Sequence, residues 1–253
     1  MKLLLPVFLS LFIVLTSCSK GDDPIILTLQ NSNLTMHFED EEEIGAVTNG
    51  TKGITYVSSD EYTAEVSDDG IVTAGVIGTA DITVSDGHNT KTCKVTVTPR
   101  YNYFVEPYFG FGQTEAQVRA KVTTGTLVEL DEALGYSYSS GSSLYLYIYE
   151  FEDGKLAAVG LLFKVISPYS TNYANYLLER YLLVGENEGM YGFLNKERTV
   201  FAGFNPSNTS DGVYITAFMP YEGSARSSLP NFIESINSVN PRFLRHLEKL
   251  NLK

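Results

Sequence analysis

Ala64-Glu65-Val66-Ser67-Asp68-Asp69-Gly70-Ile71-Val72-Thr73-Ala74-Gly75-Val76-Ile77-Gly78-Thr79-Ala80-Asp81-Ile82-Thr83-Val84 is the stretch whose reading decides the fold. Short alternating runs rich in Val, Ile and Thr are cut by the turn groups Asp68-Asp69-Gly70 and Gly75 to Gly78. Gly70 permits the positive backbone angle of a tight turn. Working outward, further runs of the same kind occupy Ile25 to Leu29, Leu34 to Phe38, Gly53 to Ser58 and Thr92 to Thr98, with Asp86-Gly87 as another turn. Regularly spaced short strands with no room for a helix predict a β-sandwich over residues 25–99. Alternation sends Val66, Ile71, Ile82, Val84, Val95 and Val97 inward, and Cys93 shares that parity as a buried thiol.

Tyr56-Val57-Ser58-Ser59-Asp60, Ala64-Glu65-Val66, Asp69-Gly70-Ile71-Val72-Thr73-Ala74, Gly78-Thr79-Ala80-Asp81-Ile82-Thr83-Val84 and Val95-Thr96-Val97 follow one another in order. Together they resemble the group 2 bacterial immunoglobulin-like domain, over most of residues 25–99. Tyr56 stands where an aromatic residue, often tryptophan, is usual, and the acidic run Glu39 to Glu43 is a departure. The resemblance implies a spacer or adhesion-type module, and the fold alone does not choose between them. The acidic run lacks the alternating acids and turn glycine of a calcium loop, so it reads as a solvated charged loop and no metal site is expected.

Upstream, Met1-Lys2 precedes an apolar run from Leu3 to Leu15, then Leu15-Thr16-Ser17-Cys18. The run falls short of the roughly 20 apolar residues that span a bilayer, and it has the layout of a signal peptide over residues 1–17. Leu15-Thr16-Ser17-Cys18 resembles the lipobox of bacterial lipoproteins, which implies acylation (palmitate) of Cys18 and a membrane partner through that lipid. Residues 18–24 form a polar tether. Lys20 followed by Asp22 and Asp23 resembles the signal that sends some lipoproteins to the outer face of the cell outer membrane. With Cys18 taken by lipid, Cys93 has no disulfide partner.

A net charge of -12 over 253 residues argues against nucleic-acid binding, which needs a basic footprint. Hydrophobic residues make up 43% of the chain, enough for packed cores. From Tyr101 the acids thin and Tyr and Phe increase, marking a second domain over residues 100–253. Thr114 caps a helix through Val118 and Val122 that Gly125 stops. Strands follow around Thr126 to Leu130, Gly135 to Ser139, Ser143 to Glu152 and Lys155 to Ile166, the last two a hairpin across Asp153-Gly154. Ser170 opens a second helix through Tyr173, Tyr176, Leu177, Arg180 and Tyr181. Strands around Met190 to Asn195, Arg198 to Phe204 and Gly212 to Met219 complete an α+β domain of two related halves, an antiparallel sheet with helices on one face. Two short helices divided at Pro241 are expected between Leu229 and Leu252. In general look, including Phe109-Gly110-Phe111-Gly112 before a helix, the region resembles uncharacterised bacterial lipoproteins, which carries no activity with it.

No catalytic signature emerges. His37 and His88 belong to the first domain, and His246 sits beside Arg245 on a terminal amphipathic helix, where it is expected to face solvent. Gly110-Phe111-Gly112 lacks the strand-to-helix context of a phosphate loop. Glu129, Asp131, Glu132, Glu150 and Glu152 leave a carbohydrate hydrolase with paired carboxylates as the enzyme alternative. A subunit of an envelope assembly is the other alternative. In Leu144-Tyr145-Leu146-Tyr147-Ile148-Tyr149-Glu150-Phe151, period-two geometry puts Tyr145, Tyr147, Tyr149 and Phe151 on one face. If helices cover the aliphatic face, those rings form an open ladder for a glycan or an envelope protein. Otherwise both faces are covered and the tyrosines are core. The expectation is a lipid-anchored, surface-exposed, non-enzymatic protein without a cofactor, its Ig-like spacer presenting the second domain.

Overall fold

In the computed structural model, which describes residues 23–140, 143–164, 169–206, 212–221, 237, 240–243, 245 and 246, two β-rich bodies follow one another along the chain. The expected signal peptide, Cys18 and most of the tether lie outside the described residues, as does most of the tail over which two helices are expected. Among the described residues, no helix is long and apolar enough to cross a membrane.

The first body is an Ig-like sandwich. Its strands are β1 (Leu27–Leu29), β2 (Asn33–Met36), β3 (Glu41–Glu43), β4 (Ala46–Thr48), β5 (Thr55–Ser58), β6 (Ala64–Val66), β7 (Ile71–Ala74), β8 (Gly78–Ser85) and β9 (Thr90–Val97). They pair as β2-β9-β8-β5, β3-β7-β6 and β1-β4. Val72, Ile82, Val84, Cys93, Val95 and Val97 close the core, and burial pushes the Cys93 thiol up. Gly70 has φ +80, and a Cβ there would lie 2.6 Å from the Tyr56 ring, so the aromatic at 56 rests on the turn that only glycine leaves open.

Two expectations need correction here. Ile71 is 42% exposed, because β7 leaves the Gly70 turn with the opposite parity and buries Val72 and Ala74 instead. The acidic run is only partly a loop: Glu39 and Asp40 lie in a turn, but Glu41–Glu43 is an exposed edge strand whose main chain pairs with Ile71 to Thr73, its three charges in water.

The turn after β8 is held by Asp86, which accepts N–H groups of His88 (2.9 Å) and Asn89 (2.6 Å) and the Thr48 hydroxyl (2.7 Å). The Asn89 N–H, then the Thr48 hydroxyl, hold its carboxyl far below the ordinary aspartate value despite burial. A depressed folded-state value means stability that is complete above about pH 4 and is lost as pH falls further. Asp86→Asn is therefore expected to lower the melting temperature of this domain at neutral pH, with the gap to the unaltered protein narrowing below about pH 4. Calorimetry across that range checks it, and a gap constant down to acid pH would contradict it.

The second body comprises α1 (Glu115–Lys121), β10 (Thr126–Leu130), β11 (Ala133–Ser140), β12 (Ser143–Glu152), β13 (Lys155–Lys164), α2 (Tyr169–Leu178), β14 (Leu182–Asn187), β15 (Met190–Leu194), β16 (Val200–Phe204) and β17 (Val213–Pro220). A capping box between Thr114 and Gln117 starts α1. The strands form one antiparallel eight-stranded sheet, β10-β11-β12-β13-β17-β16-β15-β14. Each half is thus a helix followed by a four-stranded meander, and the halves meet where β13 pairs with β17. This is the two-part organisation read from the sequence, with β14 as a strand that reading did not contain. Its run Leu182-Leu183-Val184-Gly185 breaks alternation, and the register shifts between Leu183 and Gly185.

Both sheet faces are covered. Val118 of α1 and Tyr173, Tyr176 and Leu177 of α2 pack on the tyrosine face, while Phe243 packs on the aliphatic face with Leu146, Ile148, Leu162 and Ala217. A Cβ at Gly160 would come within 2.8 Å of the Phe243 ring, so this glycine makes the slot for it.

Candidate functional site

The tyrosine face is core, which corrects the open-ladder reading. Tyr145, Tyr147 and Tyr149 are nearly inaccessible and Phe151 is partly buried. The helices cover this face, and so does the chain's own irregular segment 101–113. The Val105 N–H donates to the Tyr145 hydroxyl (3.0 Å), the Tyr147 hydroxyl donates to the Val105 carbonyl (2.7 Å), and the Tyr108 N–H donates to the Tyr149 hydroxyl (3.3 Å). Phe104 from the same segment meets Tyr145 edge-on at 5.0 Å and Tyr176 at 5.1 Å. The amphipathic rings do hold a peptide, but it is the one that connects the two domains.

That segment leads to the junction, where Glu179 at the end of α2 is 1% exposed. Its carboxylate accepts the N–H groups of Arg100 (2.8 Å) and Tyr101 (3.1 Å), and its carbonyl accepts the N–H of Ile77 from the Ig-like domain (2.8 Å). Around it, three contacts between the domains run the same way. Arg100 pairs with Asp40 (2.9 Å), Lys196 pairs with Asp60 (2.6 Å), and Arg198 donates to the Tyr62 hydroxyl (3.0 Å). The second domain and its lead-in supply cations, and the Ig-like domain supplies acceptors. At Asp60 burial works against ionisation, yet hydrogen bonds from Lys196 and Thr63 and the Lys196 charge outweigh it and hold its carboxyl below the ordinary value. Exposed pairs contribute little each. The buried Glu179 bonds to backbone N–H groups are the stronger fastening.

Beside this clasp lies a cleft of about 430 Å³ whose lining includes Ile77, Pro99, Glu106, Phe109, Arg180 and Tyr181. Arg180 is 10% exposed and lies 4.0 Å over the Tyr176 ring. It donates to Glu106, Glu179, Asn102 and the Tyr176 carbonyl. The phenols of Tyr176 (3.3 Å) and Tyr181 (3.5 Å) also donate to Glu106, and burial, with the Glu106 charge adding, pushes both well above the usual tyrosine value. They are fixed neutral donors. None of Glu106, Glu179 or the role of Arg180 was legible in the sequence: each is a lone charged residue without a motif.

His246 is the other correction. It does not face solvent; it is 8% exposed, and its Nε2 lies 2.8 Å from Glu150 Oε1 on the aliphatic face. A carboxylate beside a histidine is two-thirds of a triad, but His246 Nδ1 has no hydrogen-bond partner among the described residues, so no nucleophile engages it there. The pair clamps the terminal helix to the sheet.

The remaining carboxylates scatter. Glu129 pairs on the surface with Arg119 (3.3 Å), and Glu152 is exposed. Glu132 joins Glu115, Asp153 and Phe151 around a second cleft of about 440 Å³, whereas Glu150 lies on the opposite sheet face. Among the described residues, no group of three or more His, Cys, Asp or Glu is arranged to hold a metal.

Residues 20–97 match the family described as bacterial Ig-like domain (group 2). Among solved structures, domains 5–6 of the S-layer protein SbsC are similar at 12% identity, with 78% of this chain and 85% of that chain covered and a TM-score of 0.24. The EC1-2 fragment of human protocadherin-24 is similar at 14% identity, with 78% and 95% covered and the same TM-score of 0.24. A search of curated proteins found no match.

Proposed function

We propose that this is a non-enzymatic envelope lipoprotein, anchored through lipid on Cys18 and exposed at the surface of the outer membrane. Its Ig-like domain is a spacer that holds the second domain at a fixed attitude. The observation that carries this reading is the junction. A spacer that only gave reach would end in a free linker, whereas here Glu179 and three outlying contacts tie the connecting segment and both domains together. The order of lipobox, acidic tether, Ig-like domain and terminal domain supports the same direction of presentation.

Cys18→Ser is expected to abolish incorporation of labelled palmitate and to move the protein from the membrane pellet to the soluble fraction, because the anchor is the acyl chains themselves. Protease added to intact cells is expected to cleave the unaltered protein. A Cys18→Ser protein that still takes up label and pellets with membranes would sink the anchor, and full protection from protease would sink surface exposure.

A further inference from the structure

Domain junctions are favoured places for small-ligand sites, and the cleft beside Glu179 has a suitable volume of about 430 Å³. Its walls come from both domains. Ile77 and Pro99 supply one apolar side, and Phe109 and Tyr181 supply rings that both pack on Phe218 (5.2 and 5.8 Å), so the aromatic wall is rigid. The charge is equally determined. Of the charged groups that line it, Glu106 and Arg180 pair with each other, and the buried Glu179, outside the lining, engages Arg180 from the other side.

Arg180 has its Nε, Nη1 and Nη2 engaged by Glu106, Glu179, Asn102 and the Tyr176 carbonyl, so it has little left to offer an anion. Glu179 is buried and spent on the connecting segment. The nearby cations Arg100 and Lys196 have carboxylates of their own, Asp40 and Asp60. What stays open is Glu106, oriented by Arg180 and two phenols yet with its side chain 51% exposed. The cleft therefore offers a fixed acceptor of negative charge beside rigid aromatic and aliphatic walls.

We propose that this cleft binds a small organic ammonium, with its N–H donors on Glu106 and its carbon body against Ile77, Pro99, Phe109 and Tyr181. The proposal does not depend on the lipid anchor. It requires only that the two domains stay joined.

The test is a titration of the full two-domain chain with cyclohexylamine, with neutral cyclohexanol as its near-isostere, followed by backbone amide shifts in NMR. Cyclohexylamine is expected to shift the amides of Ile77, Glu106, Phe109 and Arg180 saturably. It should bind at least about tenfold more tightly than cyclohexanol, the worth of one charge-assisted hydrogen bond. Glu106→Gln, which keeps an acceptor for Arg180, is expected to erase that preference. Ile77→Lys, which puts a competing cation on the opposite wall, is expected to weaken amine binding. Equal binding of the alcohol, a preference that survives Glu106→Gln, or no saturable shift at these amides would each overturn the assignment. If Glu106→Gln does not fold, the preference of the unaltered chain and the effect of Ile77→Lys decide the matter.

Discussion

Glu179→Ala is expected to destabilise the second domain by about 3–6 kcal/mol and to uncouple it from the Ig-like domain, since two backbone N–H groups lose a charged acceptor worth about 1.5–3 kcal/mol each. The Arg100 and Tyr101 N–H groups would have to find water at a junction that excludes much of it. Arg180 keeps Glu106, so its cation is not stranded. The Ile77 bond goes to the Glu179 main chain and survives in principle, but it is then a lone tie. Glu179→Gln retains one carbonyl acceptor and should fall between the two. NMR relaxation reads the coupling: the unaltered protein tumbles as one body, and the alanine variant shows separate correlation times for its domains. An alanine variant with unchanged melting and a single correlation time would show that the outlying contacts suffice and that Glu179 is not the fastening.

Phe243→Ala is expected to cost about 3–5 kcal/mol, the usual range for emptying a buried aromatic site. The ring is fully buried in the slot above Gly160, among Ile148 and Ala217. It is the largest apolar attachment of the terminal helix among the described residues, next to the His246–Glu150 contact. Gly160→Ala attacks the same contact from below, because the new Cβ meets three ring carbons at 2.8 Å, and should cost about 1–3 kcal/mol. Urea unfolding followed by separate probes in each domain checks both. The transition of the second domain should move while that of the Ig-like domain stays put, and an unmoved second transition would mean that Phe243 fills the slot without stabilising the sheet.

The strand runs of the Ig-like domain were legible because period-two alternation and turn glycines are local signals, and β5 to β9 lie within a few residues of their expected places. The hairpin across Asp153-Gly154 and the Thr114 cap were legible for the same reason. Ile71 was placed on the wrong face because parity through a turn depends on the geometry of Gly70, and Glu41–Glu43 pairs by main chain, to which side-chain composition is blind.

The candidate site was almost wholly hidden. Glu106 and Glu179 are separated by more than seventy residues and carry no motif, and the reach of Arg180 between them exists only once α2 lies over the connecting segment. The tyrosines of β12 marked themselves plainly, but alternation gives two faces without saying which is covered.

What the sequence by itself determined is therefore what is governed by neighbours in the chain: most of the Ig-like strands, the first helix-and-meander half and the buried Cys93. What only the tertiary structure decided is which surfaces meet. The tyrosine ladder is closed by residues 101–113, His246 turns inward to Glu150, and both domains meet at Glu179. The physical reason is the same in each case: burial and the pairing of charges depend on groups distant in sequence, and a local pattern fixes a side chain's direction without naming its partner.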